Sequence, residues 1–188
     1  MMIEALFSQL YEYQMEKKKE RIYGIFDGVK YPMLWNDLED TTLEYDMLFV
    51  EEELREEMEE VAPFFVEFNF KNDVDMEQTK NLLGCYGNNG CIFISSSSGF
   101  TPLLKAMREL FYIYTPEGDK GFMRFYEPQI FTEFVAQKND NVRNALFWEA
   151  LCYWSEDPDH TNILKQYIKN SADSYRELSF DLNLGTKS

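Results

Sequence analysis

Histidine and cysteine are scarce in this sequence. Its 188 residues include one histidine, His160, and three cysteines, Cys85, Cys91 and Cys152. An odd and sparse set of cysteines does not match a disulfide framework, and Cys85 and Cys91 are too far apart for a C-x-x-C motif. A single His in a turn rich in Pro and Asp is typical of a surface residue and not of a general base. We therefore expect no metal ion, no cofactor and no catalytic residue.

Basic residues are also few. Lys and Arg number 18 against 34 Asp and Glu, which gives a formal net charge of -16. This balance argues against nucleic acid and anionic membrane surfaces as partners, because both repel an acidic chain. The first 20 residues lack the basic start and unbroken apolar stretch of a signal peptide, and no run approaches the ~20 apolar residues of a transmembrane helix. These features predict a cytoplasmic protein that does not bind membranes.

Apolar and aromatic residues are abundant, at 45% and 16% of the chain, which predicts a folded domain with a sizeable core. Runs with strand periodicity alternate with runs of helical periodicity up to about residue 137, so we expect an α/β (α+β) fold with helices packed on a mixed β-sheet. A polar break then predicts a boundary between a domain at residues 1–137 and a smaller, mainly helical C-terminal lobe at residues 138–188. The apolar residues at 163–168 suggest its last helix. The tail at 178–184 alternates like a strand, which either pairs with the sheet or awaits a partner.

The stretch from Leu110 to Phe134 carries the clearest local pattern. Two runs rich in β-forming residues flank a Pro/Gly/Asp turn, which predicts a β-hairpin. Pro128 cannot donate a ladder hydrogen bond and suits the first turn of a helix, so it should end the second strand and begin a helix. This stretch should therefore form a hairpin, a sharp corner and a packing helix.

The same corner resembles a known family. Met123-Arg124-Phe125-Tyr126-Glu127-Pro128 is similar to the F-R-F/W-Y-D-P signature of a bacterial domain family first catalogued as being of unknown function. The segments 23–28 (YGIFDG), 61–67 (VAPFFVE) and 90–96 (GCIFISS) resemble further family motifs in the same order. The family prefers Asp where this chain has Glu127, and Asp is the better helix cap.

Members of that family are known as effector chaperones, or adaptors, of type VI secretion systems. The resemblance implies a non-enzymatic protein that binds a secreted effector toxin and helps load it onto the secretion spike protein, with no small-molecule substrate. The matching motif positions are expected to be structural: Asp27, Gly28, Pro63, Arg124, Phe125, Tyr126 and Pro128. For Arg124 two roles stay open, a structural pair with a buried acid and, together with Tyr126, an anchor for a partner.

Residues 51–60 contain seven glutamates. The plainer interpretation is a solvated helix with an acidic outer face. The sharper one is a docking surface for a basic partner through Glu52, Glu56 and Glu59, which would suit an acidic immunity or decoy protein that blocks a basic toxin site. A hydrolase that uses a serine or carboxylates, and that would require Ser98 or His160, is the least favoured alternative, because no nucleophile motif is present.

Overall fold

The computed structural model describes residues 2–136, 140–171, 174–183 and 186–187. The strands are β1 (Arg21–Asp27), β2 (Tyr45–Met47), β3 (Pro63–Glu67), β4 (Cys91–Ser96), β5 (Tyr112–Tyr114), β6 (Lys120–Phe122), β7 (Cys152–Glu156), β8 (Ile163–Ser171), β9 (Ser174–Asp181) and β10 (Thr186–Lys187). The helices are α1 (Met2–Glu16), α2 (Leu34–Glu39), α3 (Glu52–Glu57), α4 (Asp73–Leu82), α5 (Phe100–Phe111), α6 (Pro128–Ala136) and α7 (Asp140–Leu146). None of the helices in these ranges is long and apolar enough to cross a membrane.

One sheet of eight strands organises the molecule, in the order β10-β9-β8-β7-β4-β1-β3-β2. The expected fold class, α/β with helices packed on a sheet, is confirmed. Every pairing between the described strands is antiparallel, so the sheet does not mix parallel and antiparallel pairs. The predicted mixed sheet therefore differs from the observed one, because the helices between strands connect antiparallel neighbours.

Helices cover both faces of the sheet. On one face, Tyr23 and Phe65 contact Phe100 of α5, with the Phe65 and Phe100 ring centroids 5.1 Å apart. On the other face, Trp154 meets the ring of Tyr13 in α1 edge to face, at 4.7 Å. Coverage on both sides explains why the central strands are apolar without alternation, as in β1, where every residue after Arg21 is buried.

The hairpin and corner form as the sequence predicts. β5 and β6 pair as a separate two-stranded sheet, and α6 begins at Pro128. The second strand is shorter than its pattern suggests, since it ends at Phe122 and Arg124 lies in the connection to α6. Because Arg124 lies outside the strand, its side chain does not follow the alternating directions of strand residues, and it reaches Asp27 of β1 in the main sheet.

Beyond residue 140 the structure corrects the expectation of a mainly helical lobe. Among the residues described there, only α7 is an α-helix, and β7, β8 and β9 continue the main sheet from β4. The apolar residues at 163–168 lie in β8, where Leu164 and Tyr167 are buried on opposite faces, so their spacing imitates a helical stripe. Of the tail, β9 pairs with β8 within this sheet, while Leu184 lies outside the described residues.

Glu156 at the end of β7 ties the C-terminal strands to the loop before β4. Its side chain is fully buried, and its carboxylate accepts hydrogen bonds from the backbone N–H groups of Gly87 and Asn89, the latter at 2.7 Å. Burial raises the pKa of this carboxyl above its usual 4.5, and the two N–H donors oppose the rise.

This raised pKa predicts a pH dependence. The folded chain holds the Glu156 proton more tightly than the unfolded chain, so the group's contribution to the free energy of unfolding falls as pH rises from 4.5 through the folded-state pKa. Glu156→Gln cannot titrate, so the difference between wild type and variant in urea unfolding should change across that range. Glu60→Gln, at an exposed position, controls for the loss of one charge. A constant difference between wild type and Glu156→Gln would contradict the prediction.

Candidate functional site

A groove of about 580 Å³ lies beside β2, the edge strand of the main sheet. We call it the acidic groove and define it by its aromatic and glutamate side chains: Trp35, Tyr45, Glu52, Glu56, Glu59 and Phe64. Glu52 and Glu56 are four residues apart on α3, and Glu59 follows in the short 3-10 turn after it. This spacing places the three carboxylates on one side of the segment, facing the same groove.

Aromatic rings line the acidic groove beneath these carboxylates. Trp35 of α2 stacks on Phe64 of β3 with their centroids 5.7 Å apart, and the ring of Tyr45 in β2 stands edge-on to Phe64 at 6.1 Å. Burial raises the pKa of the Tyr45 phenol, and the nearby carboxylates of Glu39 and Glu59 add to that rise. The groove therefore combines negative potential with the partly exposed rings of Trp35 and Tyr45, which is the environment that a Lys or Arg side chain favours.

An ion-pair network holds α3 against the sheet edge. Asp46 in β2 binds two arginines: Arg55 at 2.6 Å through Oδ1 and Arg108 of α5 at 3.0 Å through Oδ2. Arg55 also donates to the carbonyl of Phe49, and Arg108 donates to the carbonyl of Met47 at 2.6 Å. The Met47 carbonyl belongs to the outer side of the edge strand, so Arg108 limits further strand pairing there.

The glutamates of the acidic groove are not neutralised within the chain. Glu52, Glu56 and Glu59 form no ion pair with any residue that the structure describes, whereas neighbouring Glu51 pairs with Lys120. The groove thus keeps three negative charges available to a ligand or partner.

The residues of the family motif form a second cluster, in which Arg124 joins the corner to β1. Its guanidinium pairs with the carboxylate of Asp27, whose side chain is 2% exposed, and its Nε lies 2.7 Å from Glu127. The guanidinium carbon lies 6.0 Å from the centre of the Tyr126 ring. Asp27 also accepts a hydrogen bond from the N–H of Val29 at 3.0 Å. These contacts match the first of the two roles considered for Arg124, a structural pair with a buried acid.

The other motif residues pack around this pair. Phe125, Tyr126 and Pro128 are buried, and Tyr126 keeps only 2% of its surface exposed, so its ring faces the core and not a partner. Gly28 lies so close to the chain before β3 that a Cβ atom would come 2.7 Å from the carbonyl oxygen of Ala62. Pro63 begins β3, and its carbonyl accepts the N–H of Leu48.

The two residues of the hydrolase alternative have different partners. Ser98 donates its hydroxyl to the carboxylate of Glu149. His160 lies between β7 and β8 with Nδ1 3.3 Å from Asp157, and its side chain is 69% exposed. The structure therefore gives each residue an acidic neighbour without joining them into one site.

Sequence reasoning identified the glutamates of the acidic groove but missed Trp35 and the Asp46 network. Helical spacing was a usable signal for Glu52 and Glu56. No local pattern indicates that Trp35, on a separate helix, would face them, or that Asp46 would meet Arg108, 62 positions away. The only signal for Trp35 in the sequence was its position close to acidic residues.

Comparison with known proteins gives a single result. A family model described as "Domain of unknown function (DUF4123)" matches residues 22–145, about two thirds of the chain. The comparisons with curated proteins and with solved structures found no match. The matched segment contains both the motif cluster around Arg124 and the acidic groove, and leaves α1 and the strands from β7 onward outside it. The chain belongs to the family of domains of unknown function designated DUF4123.

Proposed function

We propose that this protein is a non-enzymatic adaptor that binds a type VI secretion effector and helps load it onto the secretion spike. The resemblance of the Arg124 corner to effector chaperones supports the class of partner, and membership of DUF4123 agrees with it. In this proposal the protein works in the cytoplasm, before the effector is exported.

The acidic groove is the observation that carries the proposal. Its three unneutralised carboxylates stand over the partly exposed rings of Trp35 and Tyr45, an arrangement that suits a basic segment of a protein partner. Aromatic rings add attraction for a cation beyond simple charge, and negative potential steers a basic segment to the groove. Binding would stabilise the loading-competent state of the effector by mass action, without turnover.

Charge reversal in the acidic groove tests this proposal. The triple variant Glu52→Lys/Glu56→Lys/Glu59→Lys should bind its effector at least about tenfold more weakly, because attraction becomes repulsion at the contact. The chain would be co-purified with the products of the adjacent reading frames, and the affinity of the captured effector measured by calorimetry.

The same helical segment supplies a matched control. Glu53→Lys/Glu57→Lys/Glu60→Lys makes the same change in net charge at exposed positions that do not line the acidic groove. It should keep the affinity within about threefold, because exposed charges that do not contact the partner act only through solvent and are weakened by salt. An equal loss of affinity in both variants would show that net charge, and not the acidic groove, governs binding. Failure of the folded wild type to bind an effector or spike protein would refute the proposal.

The acidic groove also suits a second candidate function, an immunity or decoy protein that covers a basic toxin site. The two functions differ in their effect on a captured toxin. An immunity protein abolishes the toxin's activity in the complex, whereas an adaptor leaves the toxin able to act after release. Measuring toxin activity with and without a saturating amount of this chain separates them.

A further inference from the structure

A second groove, of about 390 Å³, has the opposite charge. We call it the basic groove and define it by Lys18, Lys19, Arg21, Phe68, Phe70 and Lys71. Three segments converge here: the chain after α1, the start of β1 and the chain after β3. The chain has a net charge of -16, so a groove with four cationic side chains is a local region of opposite charge.

The carboxylates within the basic groove are already engaged. Glu67 pairs with Arg21 at 3.1 Å, and Glu20 accepts hydrogen bonds from the hydroxyls of Tyr13 and Ser95, both at 2.8 Å. By contrast, the described part of the chain offers no ion-pair partner to Lys18, Lys19 or Lys71. Hydroxyl donors do not cancel the charge of Glu20, so four cations share the groove with two carboxylates and its net charge stays positive.

The helix dipole does not explain this convergence. Lysines after α1 are favourable at the negative end of that helix, which accounts for Lys18 and Lys19. Lys71 comes from a separate segment more than 50 positions away in sequence and gains nothing from α1. The groove also contains Met15, which is 43% exposed and lies next to the buried rings of Phe68 and Phe70.

We infer that the basic groove is a second docking surface, for an acidic peptide segment of a protein partner that also carries apolar side chains. Charge complementarity selects the carboxylates, and the exposed side chain of Met15 accepts the apolar residues between them. The overall negative charge does not prevent this, because at physiological salt the screening length is about 8 Å and the three lysines dominate locally.

The two grooves lie toward opposite ends of β3. Phe64 belongs to the acidic groove and Phe68 to the basic groove, four positions along an extended chain, or about 13 Å at ~3.3 Å per residue. Two surfaces of opposite charge allow one chain to hold two different segments at once. The inference depends on the basic groove alone and holds whether or not the acidic groove binds an effector.

The test measures anisotropy of a fluorescein-labelled peptide of alternating Glu and Leu residues. It should bind the full chain, and Lys18→Glu/Lys71→Glu should weaken binding about tenfold or more, since two attractive contacts become repulsive. The control Lys30→Glu/Lys105→Glu changes net charge equally at exposed positions outside the groove and should leave the affinity nearly unchanged. The acidic-groove variant Glu52→Lys/Glu56→Lys/Glu59→Lys should not weaken it.

Three outcomes would overturn the inference. They are no binding of the Glu-Leu peptide to the folded wild type, equal weakening by both lysine pairs, and tighter binding of a single-stranded oligonucleotide than of the peptide. If circular dichroism shows that Lys18→Glu/Lys71→Glu misfolds, the neutral pair Lys18→Gln/Lys71→Gln replaces it. That pair should weaken binding several-fold, and unchanged affinity would reject the groove.

Discussion

Replacing Arg124 with Ala is expected to lower the free energy of unfolding by about 2–4 kcal/mol. The reason lies in its partner, because Asp27 is 2% exposed and would keep a buried carboxylate without a counter-ion. Removing one member of a fully buried pair costs about 3–5 kcal/mol, and the expected loss is smaller here because the Arg124 side chain is 37% exposed. Urea unfolding of wild type and variant gives the measurement.

A double-mutant cycle separates the ion pair from the loss of packing by the arginine stem. Asp27→Asn removes the charge that Arg124 neutralises, so adding Asp27→Asn to Arg124→Ala should recover much of the lost stability. Glu127→Gln is the matched control, because Glu127 contacts the same guanidinium but is more exposed than Asp27. This substitution should lower the free energy of unfolding by about 1 kcal/mol or less. Unchanged stability of Arg124→Ala combined with lost effector binding would instead identify Arg124 as a partner anchor.

Local patterns predicted the parts of this fold that are determined by neighbouring residues. The hairpin follows from its turn residues, and the helix beginning at Pro128 follows from the missing N–H donor of that proline. Strand β8 escaped prediction because a strand covered on both faces need not alternate. Its buried residues include Gln166, which breaks the apolar pattern, and Tyr167 on the opposite face.

The candidate site was predictable only in its charges. Glu52, Glu56 and Glu59 stand out by composition and spacing, so their common side could be inferred. The acidic groove itself needs Trp35, Tyr45 and Phe64, which come from three elements and meet only once the sheet has formed. Likewise, Asp27 and Arg124 lie 97 positions apart, and the sequence indicated a buried acid beside Arg124 without indicating which one.

The order of strands in the sheet predicts that the chain cannot fold without residues beyond the family match. β4 lies between β1 and β7, and all six of its residues are buried. The match ends at residue 145, before β7 begins. Without β7, an apolar strand would become an exposed sheet edge, which is unfavourable and prone to aggregation.

Side chains from these later strands also complete the core on both faces of the sheet. Phe131 of α6 lies 4.9 Å from Tyr153 in β7 and 5.4 Å from Tyr167 in β8, between ring centroids. On the other face, Trp154 contacts Tyr13 of α1. Loss of one large buried aromatic alone costs about 3–5 kcal/mol, and the total stability of a domain is about 5–15 kcal/mol. We therefore expect the strands after residue 150 to be needed for folding.

A chain truncated after Ala150 is accordingly expected to be unfolded or insoluble. A chain truncated after Asn183 is the control and should keep its unfolding free energy within about 1 kcal/mol, because it loses from the described sheet only the two-residue edge strand β10. Circular dichroism and urea unfolding of both fragments test this, and the full chain should unfold in one transition. Cooperative folding of the shorter fragment would instead show that the first 150 residues fold without β7, β8 and β9.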